Sequence, residues 1–352
     1  MAGECVGLDI GSSSIKAIVL KVGRKETRLV NFGIEPLPSQ TIVDGAIMDQ
    51  GAVVEAIGRL RTALGFRNKL CATAIAGHSV IVKKISLPPI GRDDLSEQIP
   101  LEAEQHIPFK RDEVDIDYQV VVPKNAKGQM EVILVAVKKE MIADTLQVIR
   151  DAKLQPVVVD VAAFCIQNAY EAGYGLSAAA EPVALIHIGN AITHVNILAG
   201  GISVFARDVT VGGAQFTEEI QRRLHVGHDE AEVFKWAWGE PGGGAVPALV
   251  GPVIEEIAES TAAKLQRSLD FFLASAPEVV LSRIYLSGGC ARVATLVPLL
   301  ARRSKVPVEI LDPFKRTIID AGKLDVAFVR THAVEAAVAF GLALRKPGDG
   351  PA

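Results

Sequence analysis

The chain has 352 residues, 49% of them hydrophobic, with 37 Lys and Arg against 41 Asp and Glu for a formal net charge of -4. That length exceeds one ordinary core and calls for two lobes or several smaller domains; the balanced charge, spread along the chain, leaves no electrostatic footprint for nucleic acid. No apolar run of about 18 residues predicts a membrane span, MAGECVGLDIG lacks a basic, apolar leader and points to the cytoplasm, and Cys5, Cys71, Cys165 and Cys290 stand singly, with no C-x-x-C pair for zinc or redox chemistry.

Alternating strand and helix signals predict an α/β protein. Strands are expected over 5–10, 15–22, 69–77, 78–87, 117–123, 131–138, 156–161, 183–188, 194–200, 282–287 and 307–311. Helices are expected over 51–64, 92–106, 138–152, 162–172, 214–224, 228–238, 251–275, 292–303 and 332–345. The Gly/Pro/Ala-rich stretches 175–182 and 239–252 read as a linker and a loose surface loop. Between about 85 and 160 the order strand, helix, two strands, helix, strand, introduced by Leu87-Pro88-Pro89, reads as an inserted module or as more of the main sheet.

LDIGSSSIKAIVL (8–20) and IHIGNAITHVNIL (186–198) align without a gap as strand, glycine turn, strand, with Gly11 matching Gly189 and Asp9 matching His187. Similarity at this separation is the trace of duplicated halves, one per lobe. A turn built from Gly and Ser lets consecutive backbone N–H groups converge on a phosphate, because no Cβ obstructs the approach. The hydroxyls of Ser12, Ser13 and Ser14 add donors, Lys16 on the second strand can reach a terminal phosphate, and Asp9 can hold Mg2+ through water. Taken singly, each copy also fits an ordinary hairpin, Asp9 a turn cap and Lys16 a solvated edge charge.

Between this second hairpin and the next glycine motif, Gly212-Gly213 opens a helix carrying Thr217 and Glu218 in its first turn. Glu232 and Lys235, three apart, share one face of the following helix, which fits a surface ion pair as well as a site. Trp236 and Trp238 are expected in the core. RIYLSGGCARVATLVPLLARR (283–303) ends a strand at Ser287-Gly288-Gly289 and starts a helix near Arg292. Such a turn lets a flat ring lie against the backbone and offers unpaired donors, and it also fits a plain βα turn.

Together these residues resemble the actin, sugar kinase and Hsp70 superfamily of two-lobed ATPases: LDIGSSSIK its first phosphate motif, IHIGNAIT its second, YLSGGCA its adenosine motif, and HAVEAAVAFGLALR (332–345) its second connecting helix, where Gly341 allows close packing. Within it, the chain most resembles the actin-like PilM family of type IV pilus assembly, relatives of the division protein FtsA. LPSQTIVDGAIMDQGAVVEAI (37–57) is similar to a segment both share, and ISLPP with EAEQHIPFKRDEVDIDYQVV (102–121) resembles the inserted subdomain. The chain stops at LRKPGDGPA, without the amphipathic helix usual in FtsA.

The resemblance implies a lobe 1 core over 1–84, an inserted subdomain over 85–160 and a connecting helix and linker over 161–181. It implies a lobe 2 core over 182–211, a small subdomain over 212–250, the adenosine motif within 251–330 and a helix returning to lobe 1 over 331–352. It implies ATP and Mg2+ in the cleft, with Asp9, Gly11, Ser12, Ser13, Ser14 and Lys16 on one side and Gly189, Asn190 and Thr193 on the other. Gly212 and Gly213 would close near the phosphates, Glu232 and Lys235 would touch ribose or adenine, and Gly288, Gly289 and Arg292 would bracket the adenosine. The implied partner is the N-terminal cytoplasmic peptide of a PilN-like inner-membrane protein, besides other pilus components. The protein would then be cytoplasmic, recruited to the inner face of the membrane. Many relatives have Asp where this chain has His187, and a neutral imidazole supplies no anion to order the attacking water, so slow or no hydrolysis is expected. A small-molecule kinase and a filament-forming protein are the alternatives, since fold alone does not separate them.

Overall fold

Cys5 to Leu8 carry no charge and are fully buried, the pattern of a strand covered on both faces. In the computed structural model of the chain, which describes residues 5–65, 69–175, 181–239 and 244–349, this stretch enters an inner strand of a six-stranded sheet. That strand, β1 (Val6–Ile10), turns back antiparallel as β2 (Ser14–Val22), which pairs in turn with β3 (Thr27–Pro36). A small hairpin, β4 (Ile42–Val43) and β5 (Ala46–Ile47), leads into α1 (Gln50–Leu64), and β6 (Leu70–Ile75) runs parallel to β1. Asp49 caps α1 by accepting the Ala52 N–H at 2.9 Å, and Gly65, at φ 58°, ends it.

β7 (Val80–Leu87), α2 (Arg92–His106), β8 (Val114–Val122) and β9 (Met130–Lys138) form a separate module whose sheet has the order β7-β9-β8. Leu95, Ile99 and Ala103 recur every four residues along α2, and this stripe packs onto Leu87, Val132 and Leu134. α3 (Lys139–Asp151) and β10 (Gln155–Val161) then leave the module, and β10 pairs parallel with β6 at the edge of the first sheet. The stretch from 85 to 160 therefore contains elements of two sheets.

α4 (Ala162–Tyr174) crosses to the second half. There β11 (Val183–Ile188), β12 (Thr193–Ala199) and β13 (Ile202–Val209) precede α5 (Gly213–Leu224), α6 (His228–Ala237) and α7 (Val250–Ser275). β14 (Arg283–Ser287), α8 (Leu296–Ser304) and β15 (Val308–Ile310) follow; β16 (Thr317–Ile319) returns to the first sheet beside β3, and α9 (Val326–Thr331) and α10 (Ala337–Ala343) close the chain. The second sheet, ordered β13-β12-β11-β14-β15, repeats β3-β2-β1-β6-β10 strand for strand. The duplication inferred from the two hairpins thus extends to whole sheets. It includes β3 and β13, absent from the sequence reading because Asn31 and Gly33 interrupt one and Arg207-Asp208 the other.

α4 and α10 lie between the sheets. One cluster joins Cys165 and Ile166 of α4 and Phe340 of α10 to Ile18 of the first sheet and Leu185 and Tyr285 of the second. A Cβ at Gly341 would fall 1.9 Å from the Cys165 carbonyl oxygen, and one at Gly7 would fall 2.1 Å from that of Ala339. The close packing expected at Gly341 is therefore present.

Two expected helices are corrected. The chain after Gly288 forms a 3-10 turn (Gly289–Arg292), and α8 begins only at Leu296, so Arg292 does not open an α-helix. The helix expected over 332–345 is broken by a 3-10 turn at Ala333–Glu335. That break lets the Val334 carbonyl accept the Gly288 N–H at 2.8 Å. The expected linker over 175–182 lies mostly, and the loop over 239–252 partly, outside the described residues. Among the described helices none is long and apolar enough to cross a membrane.

Candidate functional site

The two hairpins share one register: Asp9 stands opposite Lys16 in the first and His187 opposite His194 in the second. Each turn glycine donates its N–H to the carbonyl three residues on, Gly11 to Ser14 at 3.1 Å and Gly189 to Ile192 at 3.0 Å. A Cβ at Gly189 would sit 2.8 Å from the Ile192 oxygen, and one at Gly11 would sit 3.1 Å from the Ser14 oxygen and 3.2 Å from Lys16 Nζ. Both corners therefore close around glycine. Lys16 Nζ lies 3.5 Å from Asp9 Oδ2 and 3.4 Å from the Ser14 oxygen. These contacts are longer than the roughly 2.7–2.9 Å of a tight charge-assisted hydrogen bond, so the ammonium keeps room for a stronger acceptor.

The hairpins meet electrostatically across the lobes. Burial first, then His194 and Lys16, hold the His187 imidazole well below its ordinary pKa of 6.5 and keep it neutral. Its Nδ1 lies 3.0 Å from Ser287 Oγ, and its ring stacks 5.9 Å from that of His194. Burial would also lower His194, but Asp208, 2.6 Å from its Nδ1, and the charge of Asp9 raise it overall.

Gly212 and Gly213 lie against the second hairpin's turn. Gly213 donates to the Gly189 oxygen at 3.0 Å and Ala214 to that of Asn190 at 2.9 Å, while a Cβ at Gly212 would fall 2.3 Å from the Asn190 oxygen. Thr193 Oγ1 donates to the Val211 oxygen at 2.8 Å, which fixes the segment entering α5. A Cβ at Gly213 would touch Asn190 Oδ1 at 3.6 Å, Lys235 Nζ at 3.7 Å and Cys290 Cβ at 3.8 Å. The second hairpin's turn, α6 and the glycine turn after β14 therefore converge on Gly213.

Glu232 and Lys235 are not a surface pair: Lys235 is 3% exposed, and its Nζ donates to Glu232 Oε1 at 2.5 Å and Thr217 Oγ1 at 2.8 Å. Thr217 Oγ1 also contacts Glu232 Oε1. Burial pushes the Glu232 carboxyl up, yet Lys235, Thr217 and Trp236 together bring it below its ordinary value. Trp236 and Trp238 are half-buried rather than core. The Trp236 indole donates to Glu232 Oε2 at 2.9 Å, and the Arg292 guanidinium lies 5.1 Å from its ring centroid. Glu335 approaches Arg292 at 3.6 Å, and Gly288 is required twice over, by its φ of 88° and because a Cβ would meet the Ile188 oxygen at 2.3 Å. Ser12 and Ser14 are half-buried and Ser13 exposed on the first turn.

His194, Ser287, Trp236 and Glu335 were missed beside the predicted residues; Asp208 reaches only His194 and the Gly77 amide, not those residues. A signal existed for His194, which falls on Lys16 when the hairpins are overlaid; the others come from a strand, a helix and a turn with no shared local pattern.

The family whose description is type IV pilus assembly protein PilM matches residues 7–347. The chain belongs to this family. It is similar over 98% of its length, and 99% of the other chain's, to the solved PilM-PilN type IV pilus biogenesis complex, at 26% identity and a TM-score of 0.86. It is 22% identical over 256 residues to the cell division protein FtsA of Bacillus subtilis (strain 168), covering 65% of this chain and 57% of that relative. The chain thus spans little more than half the length of FtsA. The ethanolamine utilization protein EutJ from Carboxydothermus hydrogenoformans (TM-score 0.59, 14% identity, 98% of this chain and 92% of that one) shares the fold. So does MreB5 of Spiroplasma citri bound to ADP (TM-score 0.52, 14% identity, 96% of this chain and 94% of that one). The PilM family member described here has the actin-like fold expected from its motifs.

Proposed function

We propose that the chain binds ATP with Mg2+ between its lobes and acts as a cytoplasmic scaffold of pilus assembly. In that role it docks the N-terminal cytoplasmic peptide of a PilN-like inner-membrane protein and is held at the inner face of the membrane. The observation that carries the nucleotide reading is the approach of the two glycine-cornered hairpins, near enough for Lys16 to act on His187 and Asp9 on His194, with Lys16 only loosely paired to Asp9. Lys16 and the turn of residues 11–14 would hold phosphates from one side and Gly189, Asn190 and Thr193 from the other, with Asp9 reaching Mg2+ through water. Gly212 and Gly213 would close the phosphate end, while Glu232, Lys235, Gly288, Gly289 and Arg292 would frame the nucleoside.

A buried, neutral His187 held by Ser287 supports binding with slow or no hydrolysis. The partner reading rests on the family and on the likeness to a complex containing PilN. Calorimetry with Mg-ATP, and then with the N-terminal cytoplasmic peptide of a PilN-like protein, tests both readings. Saturable binding of each with little phosphate release is expected. No nucleotide binding would refute the cleft assignment, and a sugar or acid phosphorylated at about 1–100 per second would replace the scaffold by a kinase.

A further inference from the structure

The turn between β6 and β7, from which the separate module rises, is tied to the second lobe by contacts that the nucleotide reading does not use. Gly77 donates its N–H to Asp208 Oδ2 at 2.6 Å, and His78 Nε2 lies 2.9 Å from Thr210 Oγ1. Gly77 holds φ 104°, and a Cβ there would stand 3.3 Å from the Asp44 oxygen and 3.4 Å from Ile192 Cδ1. Ile192 is itself the residue whose carbonyl closes the second phosphate turn. The other oxygen of the same carboxylate, Asp208 Oδ1, is 2.6 Å from Nδ1 of His194, which stands opposite His187 on that hairpin. One side chain thus touches both the phosphate-side hairpin and the root of the module. Burial raises the Asp208 carboxyl, but His194 and the Gly77 N–H outweigh it and keep the carboxylate charged, and charge-assisted bonds are the stronger kind.

We propose that Asp208 is an interlobe latch, a positioning residue that links the second phosphate hairpin to the module through His194 on one oxygen and the Gly77 amide on the other. A ligand that seats the hairpin then also seats the turn at residues 77–78, and the module's freedom falls when the cleft fills. By reciprocity, holding the module tightens the cleft by the same factor. This regulation rests on the proposed nucleotide site, whereas the latch contact itself does not.

Hydrogen exchange of the full chain, read by mass spectrometry over peptides spanning residues 76–84, tests it with Mg-AMPPNP as probe. The proteins compared are wild type, Asp208→Asn and the milder Thr210→Val, each checked for a cooperative melt. Without nucleotide, Asp208→Asn is expected to exchange about tenfold faster at this turn; an unchanged rate in both variants overturns the latch. With nucleotide, wild type should gain about five- to 150-fold protection there, the range of ordinary coupling, and Asp208→Asn should lose most of it while still binding the probe. Equal protection in the two proteins overturns the linkage. If calorimetry shows that wild type does not bind the probe, the nucleotide reading and the linkage fail together, and the nucleotide-free comparison still decides the latch.

Discussion

Gly341→Ala tests the packing on which the two-lobed arrangement depends. The added Cβ would stand 1.9 Å from the Cys165 carbonyl oxygen and 2.6 Å from its carbon. Carbon and carbonyl oxygen normally approach no closer than about 3.3 Å, so α10 must withdraw from α4 by about 1.4 Å. α10 is seven residues long, and all seven are buried, so the withdrawal presses it into β1, β2 and β6 of the first sheet. Overpacking of this kind costs typically about 1–3 kcal/mol, occasionally more, against which Ala recovers at most about 1 kcal/mol of helix propensity. A backbone obstacle puts the cost at the upper end, and the net loss is expected to be about 2 kcal/mol or more. For a chain this long that lowers the melting temperature by about 3 °C or more. Gly58→Ala is the control, since Gly58 is also inside a helix and its Cβ would meet nothing within 4 Å. It should gain about 0.5–1 kcal/mol. Urea unfolding followed by circular dichroism reads both, and a Gly341→Ala protein as stable as wild type, alongside a stabilised Gly58→Ala, would refute the close contact of α4 and α10.

Lys16→Ala should weaken ATP binding about 10- to 150-fold by calorimetry, the equivalent of one hydrogen bond to a charged group, about 1.5–3 kcal/mol. Asp9→Ala should remove most of the Mg2+ dependence of that binding, whereas His187→Ala should change affinity less than Asp9→Ala; the opposite ranking contradicts the site. Lys235→Met leaves the half-buried Glu232 without its cation and should cost less than the roughly 3–5 kcal/mol of a fully buried pair, about 1–3 kcal/mol. The double variant Glu232→Gln, Lys235→Met should recover part of that loss in urea midpoints. His187 has a folded pKa below 6.5, so the unfolded chain takes up a proton that the native state refuses. Its contribution to stability is present above pH 6.5 and is lost as pH falls, by up to about 1.4 kcal/mol per pH unit. His187→Asn should therefore show a shallower loss of stability than wild type between pH 7 and 5, and parallel curves would contradict a buried neutral imidazole.

Local pattern carried the strand-turn-strand motifs, because glycine corners and continuous apolar strands are dictated by residues next to one another in the chain. The overlay of 8–20 on 186–198 exposed the duplication for the same reason, and with it the expectation of two lobes and of the positions Asp9, Lys16 and Gly189. Whether Glu232 and Lys235 faced water or the site was not written locally, since their spacing is the same in both cases; the burial of Lys235 against Thr217 decided it. The break between α9 and α10 arises because Val334 must meet Gly288, some 46 residues earlier, and no helix signal registers so distant a partner. Asp208 likewise sits in a strand whose charges hid it, and only the folded chain brings it to Gly77, 131 residues away. Sequence by itself determined which segments could make glycine-cornered hairpins and buried helices, since those depend on near neighbours. The burial of His187 and Lys235 and the approach of Gly77 to Asp208 were decided by tertiary structure, because burial and opposing charge come from residues far apart in the chain.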